Sequence, residues 1–136
     1  MTTLTATTLT AADRLLRAVT TPGASLDDVY APDATFDATV PGWRFAIHGP
    51  RVAHQYAEWF RHPAEIEELS RHSTPTGEVI EYTISWTEGG VPHAARHIHV
   101  LTIDRDADRV VSDHFWCGGR WPAPLLAEMG AAGHHG

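Results

Sequence analysis

Three histidines fall within eight residues in the stretch HAARHIHV, positions 93–100. Imidazole is the side chain whose ordinary pKa lies between pH 5 and 8, so it can serve near neutrality as acid, base or metal ligand. Spacing narrows the choice. Strand side chains alternate between faces, so His97 and His99 share one face of an extended segment, while Ile98 points the other way. His93 stands four residues before His97, next to Pro92. The carboxylates that could partner these rings are Asp113, in VVSDHFW, and Asp37, in DATFDATV; a further imidazole is His114. A carboxylate beside an imidazole fixes its tautomer and makes it a better base. A His-x-His pair could also chelate a metal, but a closed site needs a third and fourth ligand. His114 or Asp37 would have to supply them, and we expect no metal. No G-x-S-x-G, phosphate loop or G-x-G-x-x-G is present. Cys117 lacks an activating neighbour and reads as a small strand-end residue.

The segment that aims the histidines is a hairpin. Gly89-Gly90 separates two strand-like runs, a strong signal for a two-residue turn. If these glycines are the turn, Glu88 pairs with Val91, Trp86 with His93, Ile84 with Ala95, Tyr82 with His97 and Ile80 with His99. One face then carries Ile80, Tyr82, Ile84, Trp86, Ala95, His97, His99, Leu101 and Ile103, and it is the more apolar one. His97 and His99 are therefore expected to point inward, and His93 to sit exposed at the hairpin mouth. Buried imidazoles need hydrogen-bond partners, and burial disfavours their charged form.

The partner across the next turn, DRDADR, depends on register. A turn centred on Asp106 sets His99 opposite Asp113 and His97 opposite Phe115. A shift of one residue sets His99 opposite Ser112 or His114, with Trp116 on the same face. Such a slip would exchange every inward side chain for an outward one.

The remaining elements read as follows. Thr10 caps a helix over 11–20, with Leu15, Leu16 and Val19 on one face. Ser25 caps a short helix, LDDVY. DATFDATV is a strand with Phe36, Ala38 and Val40 on one face and Thr35, Asp37 and Thr39 on the other. PGWRFAIHGP is a loop. Pro50 opens a helix, PRVAHQYAEWFRH, with Val52, Tyr56 and Phe60 in one stripe. Strands follow near 65–73, 77–87, 93–104 and 109–118, then a short helix around LLAEM. Trp43, Trp59, Trp86, Trp116 and Trp121 could line a pocket. This order predicts an α+β fold, with helices packed on one face of a curved, mostly antiparallel sheet. One domain is expected over 9–130, with tails at 1–8 and 131–136.

Composition excludes several classes. The chain has 136 residues, enough for one core without metal or disulfide staples. A net charge of −7, with only 10 basic residues, argues against nucleic-acid binding through phosphate neutralisation. The single cysteine excludes an internal disulfide. No apolar run approaches a membrane span, and the first residues lack a secretory pattern, so the cytoplasm is the expected compartment.

Three stretches, VYAPDATFDA, IHGPRVAHQYAEWF and GGVPHAARHIHVLTIDRDADRVVSDHFW, make residues 9–118 resemble the nuclear transport factor 2-like superfamily. That group includes ketosteroid isomerase and the SnoaL-like polyketide cyclases. The resemblance implies a cone: a strongly curved sheet wrapped around N-terminal helices, in the manner of a cystatin-like α+β barrel. It also implies a deep apolar pocket and often a homodimer through the outer sheet face. Relative to ketosteroid isomerase, Ala38 falls at the base position with Asp37 beside it, and the oxyanion tyrosine falls near Leu15. The cyclases are similar through a histidine on the penultimate strand and an aspartate on the last, here His99 and Asp113. The implied activity is cofactor-free acid/base chemistry on a small apolar carbonyl or polycyclic compound by an isomerase, aldol-type cyclase or dehydratase. In it His99 is the acid/base oriented by Asp113, His97 binds the developing oxyanion, and Asp37 is a second base. Tyr82, Tyr56, Phe60, Trp86, Phe115, Trp116 and His114 would shape the pocket. The alternative is a non-catalytic ligand-binding or dimeric module of the same fold.

Overall fold

A computed structural model describes residues 9–132. Of the expected tails at 1–8 and 131–136, residues 1–8 and 133–136 lie outside the described residues. Within them, Ala131 closes the last helix and Ala132 is its C-cap.

Helix α1 spans Ala11–Thr20. Thr10 accepts the Asp13 N–H, and the Asp13 carboxylate accepts the Thr10 N–H in return, so two of the helix's unpaired donors are satisfied at once. Leu15 and Val19 are fully covered, and Leu16 packs at the edge of the core. The expected short helix at LDDVY does not form. Residues 27–29 are turns, and Tyr30 already opens strand β1, Tyr30–Val40. The short sequence between Gly23 and Pro32 leaves no room for the several helical turns that would repay nucleation.

The expected loop after β1 is instead strand β2, Trp43–His48, paired antiparallel with β1 from Val40↔Trp43 to Thr35↔His48. Trp43, Phe45 and Ile47 alternate with Arg44, Ala46 and His48, a period-2 pattern of larger apolar side chains hidden between the flanking Pro-Gly and Gly-Pro. Helix α2 is Arg51–Trp59, with Pro50 at its N-cap, and is shorter than expected. Strands β3 (Ala64–Thr74), β4 (Gly77–Glu88), β5 (Val91–Asp104) and β6 (Arg109–Pro122) follow, then α3 (Ala123–Ala131).

The six strands form one sheet in the order β2-β1-β6-β5-β4-β3. Every pairing is antiparallel except β1 with β6, which is parallel. The sheet is open, with β2 and β3 at its edges, so it is not closed into a barrel. Helices α1 and α2 pack on one face. Between them and the sheet lies a single core that includes Leu15, Val19, Phe36, Val52, Tyr56, Ile80, Tyr82, Ile84, Leu101 and Phe115.

The β4–β5 hairpin has the register that the Gly-Gly turn dictates, from Glu88↔Val91 to Ile80↔His99. Both glycines have positive φ, 58° and 78°, as a turn matched to the sheet twist requires. The β5–β6 hairpin differs from either expected register. His99 lies opposite Phe115, His97 opposite Cys117 and Leu101 opposite Asp113. A bulge between Thr102 and Ile103 takes up the extra residue near the turn. The offset from a turn centred on Asp106 is two residues. An even offset preserves the face, so Asp113 and Phe115 still point inward.

Candidate active site

The inward face of β5 carries the two histidines, and neighbouring elements supply their partners. Parallel pairing sets Phe36 beside Asp113 and Ala38 beside Phe115, so the inward faces of β1 and β6 are continuous. Asp113 is wholly buried, with 0% exposure, and so is His99. Burying a carboxylate costs several kcal/mol unless its oxygens are hydrogen-bonded. Here three donors meet it. The Tyr30 hydroxyl donates to Oδ2 at 2.6 Å and the Tyr56 hydroxyl to the same oxygen at 3.2 Å. His99 Nδ1 lies 3.1 Å from Oδ1 and 3.2 Å from Oδ2. Bonds to a charged group contribute roughly 1.5–3 kcal/mol each, so three of them offset a desolvation cost of that size. Burial, and next the Asp113 charge, push the Tyr30 and Tyr56 phenols well above their usual pKa; both stay protonated donors.

The chain of contacts continues outward. The Tyr82 hydroxyl lies 2.9 Å from His99 Nε2 and 3.2 Å from His97 Nδ1. Tyr82 is also held protonated, by burial first and Asp113 second. The sequence Asp113, His99, Tyr82, His97 is therefore one continuous hydrogen-bonded line from the core to a cavity wall. His97 is 6% exposed and is its outermost member. Its edge-on neighbours are Phe60, at 5.9 Å between ring centroids, and Phe115, at 4.8 Å. Burial, and next the proximity of His99, push its pKa down to about 3, so the ring is neutral. With Nδ1 engaged by Tyr82, Nε2 is the nitrogen left for a ligand.

The cavity measures about 490 Å³, within the ~300–1,000 Å³ typical of small-molecule sites. Trp59, Phe60, Ile84, Trp86, Ala95 and Phe115 form much of its apolar wall, and Cys117 adds a thiol kept protonated by burial. The mouth is polar. Glu88 accepts from Trp86 Nε1 at 3.1 Å, pairs with Arg120, and stands 3.8 Å from His62 Nε2. Arg120 also lies over the Trp86 ring, 5.5 Å from its centroid.

Several expected site residues sit elsewhere. His99 was the expected acid/base, but it does not line the cavity; both its ring nitrogens are engaged behind the wall, and His97 occupies the position at the wall. Tyr82 and Tyr56 likewise stand behind the wall, whereas Phe60, Trp86 and Phe115 line it. Asp37 is not a pocket base. It lies on the opposite face of β1, where Arg44 binds it at 2.8 and 3.1 Å and holds its carboxyl below the usual range. His114 pairs with Asp37 across β1–β6, 3.9 Å away, and Trp116, 41% exposed, is on that same outer face. Odd-numbered and even-numbered positions swap faces between β1 and β6, so neither His114 nor Trp116 can reach the pocket. The same parity keeps Asp37 and His114 away from His97 and His99, so the metal set built from those four cannot assemble.

Tyr30 was missed; Trp59, one of the five tryptophans that could line a pocket, does line the cavity. Tyr30 has the same parity as Phe36 and Ala38, a signal that Pro32 interrupts. Trp59 falls at i+7 from Val52 and i+3 from Tyr56, on the stripe that faces the core.

No family model matches the chain, and no curated protein matches it. Solved structures do. A nuclear transport factor 2-like protein from Anabaena variabilis superposes with a TM-score of 0.67 at 18% identity, covering 80% of this chain and 84% of that one. A proposed isomerase from Rhodopseudomonas palustris gives 0.58 at 11%, covering 91% and 98%. A phenazine biosynthesis-related protein from Pseudomonas aeruginosa gives 0.57 at 12%, covering 89% and 79%. At these identities the likeness establishes the fold: an α+β cone of the nuclear transport factor 2-like type.

Proposed function

We propose that this chain of nuclear transport factor 2-like fold is an enzyme that moves a proton on a small, largely apolar carbonyl compound, without a cofactor. The observation that carries the reading is the line of hydrogen bonds from buried Asp113 to His97 at the wall of an apolar cavity. A cavity meant only for apolar packing would be better served by Leu or Phe at position 97, because a buried imidazole must be partnered. In this reading His97 Nε2 takes a proton from the carbon next to the carbonyl and returns it elsewhere, the step shared by isomerisation, aldol-type cyclisation and dehydration. Trp59, Phe60 and Trp86 hold the apolar body and exclude water, which strengthens each polar contact inside. Fold alone does not confer this activity, since one fold hosts many functions.

A second reading, a non-catalytic ligand-binding module, has one observation in its favour: each ring nitrogen of His99 and both oxygens of Asp113 are satisfied internally. The first test is binding. A phenol such as 2-naphthol mimics the enol of a cyclic ketone. It should quench the Trp59 and Trp86 fluorescence saturably and lose at least tenfold in affinity in H97Q, whereas naphthalene should bind both proteins alike. Equal loss for naphthol and naphthalene, or no saturable binding, would remove His97 as the ligand-facing group.

We also propose a homodimer through the outer sheet face. Register sets Ile98 beside Trp116 and Val79 beside Val100 there, giving adjacent apolar side chains on the face away from α1 and α2.

A further inference from the structure

We propose that Tyr82 couples the tautomers of His97 and His99, so that a proton accepted at the cavity wall is held on the buried His99–Asp113 pair while His97 stays neutral. The inference rests on the acid–base reading of the cavity and adds the place where the proton is kept.

The geometry allows two arrangements of the same line. In the first, His99 Nδ1–H donates to Asp113, the Tyr82 hydroxyl donates to His99 Nε2, and His97 Nδ1–H donates to the Tyr82 oxygen. His97 Nε2 is then a bare lone pair, which is a base. In the second, His97 Nε2 has gained a proton and its Nδ1 proton has passed to the Tyr82 oxygen over 3.2 Å. Tyr82 has passed its own hydroxyl proton to His99 Nε2 over 2.9 Å. Each N–H or O–H bond broken is matched by one formed, and the net change is one added proton. Tyr82 is a neutral phenol in both states, so no tyrosinate is needed. His97 is neutral in both, first as the Nδ1–H and then as the Nε2–H tautomer. The second state is an acid, with an N–H aimed at the ligand. The same ring can thus take a proton from one atom and return it to another.

The added charge belongs on His99 because of what faces each ring. His99 meets Tyr82 of β4, and Asp113 and Phe115 of β6; the charged group among them is the carboxylate at 3.1 Å. Tyr30 of β1 and Tyr56 of α2 in turn hold that carboxylate. His97 meets Tyr82, Phe60, Phe115, the protonated Cys117 thiol and His99 itself, none of which compensates a positive charge. An imidazolium beside a buried anion is stabilised; one among uncharged rings is not.

The test is 15N NMR of the histidine rings in the ligand-free full chain, followed from pH 8 downward. The coupled line predicts that His99 gains a second ring proton while, in the same titration, His97 switches from Nδ1–H to Nε2–H without becoming an imidazolium. In Y82F the His99 titration should leave the His97 tautomer unchanged. The proposal is overturned if wild-type His97 keeps one tautomer throughout the His99 titration, if His97 becomes an imidazolium before His99, or if the coupled switch survives in Y82F. The wild-type titration decides the matter even if Y82F fails to fold. Because no substrate is present, failure here is separate from failure of the enzymatic reading, which is judged on turnover.

Discussion

Burial holds the His97 ring neutral in the folded protein, down to about pH 3, whereas in the unfolded chain it titrates near 6.5. Between those two values the unfolded state binds a proton at this position that the folded state does not. Stability at this site therefore rises with pH across that window, is complete above about 6.5, and is lost progressively as pH falls. Between pH 6.5 and 5 the loss amounts to roughly 2 kcal/mol. Urea denaturation at the two pH values should show wild type losing about that much more than H97Q. An equal loss in both proteins would mean that the ring is protonated in the fold. Much of this site was legible in the residues. Gly89-Gly90 set the strand pairing, and pairing set His97 and His99 inward. What could not be read was which of the two meets the cavity, because exposure depends on where α2 ends and on the rings of Phe60 and Phe115.

The strands owe their register to two turns of unequal clarity. A Gly-Gly pair selects one turn geometry, and β4–β5 has it. The Asp-rich turn before β6 admits several geometries, and the bulge at Thr102 and Ile103 is invisible in a sequence where either residue would suit a strand. Parity survived only because the offset was even. The same logic explains β2, whose short alternating run sits between turn signals, and LDDVY, where helix-compatible residues lack the length to form a helix. β4 begins at a close crossing that depends on glycine. A Cβ at Gly77 would lie 1.8 Å from the Leu101 carbonyl oxygen, a backbone atom that cannot swing aside. G77A should therefore cost about 2–4 kcal/mol in urea denaturation, in the range of backbone-strain substitutions. A cost below about 0.5 kcal/mol would show that the β4–β5 crossing relaxes freely.

For the whole molecule, helices α1 and α2 cover one face of the sheet, and the other face presents Ile98, Val100 and Trp116 together. The sheet's alternation was readable from the residues, but it assigned Trp116 and His114 correctly only once the register was known. If a second copy covers this face, sedimentation should give a species of twice the chain mass, and W116E should convert it to the monomer without loss of secondary structure. A monomeric wild type at tens of micromolar would end the dimer proposal. The cavity and its buried line of polar groups lie on the helix side, so a monomer would leave the acid–base reading intact.

That reading is tested most directly by exchange at the carbon next to a carbonyl. Small cyclic ketones incubated with the protein in D2O, and followed by NMR, report proton abstraction whether or not the natural substrate is among them. At least one ketone that binds the cavity should exchange faster than in buffer, and H97Q should lower the rate by about 10²–10⁴, the usual contribution of a positioned acid/base. Saturable binding of such ketones with no acceleration of exchange, or acceleration that survives in H97Q, would contradict that reading.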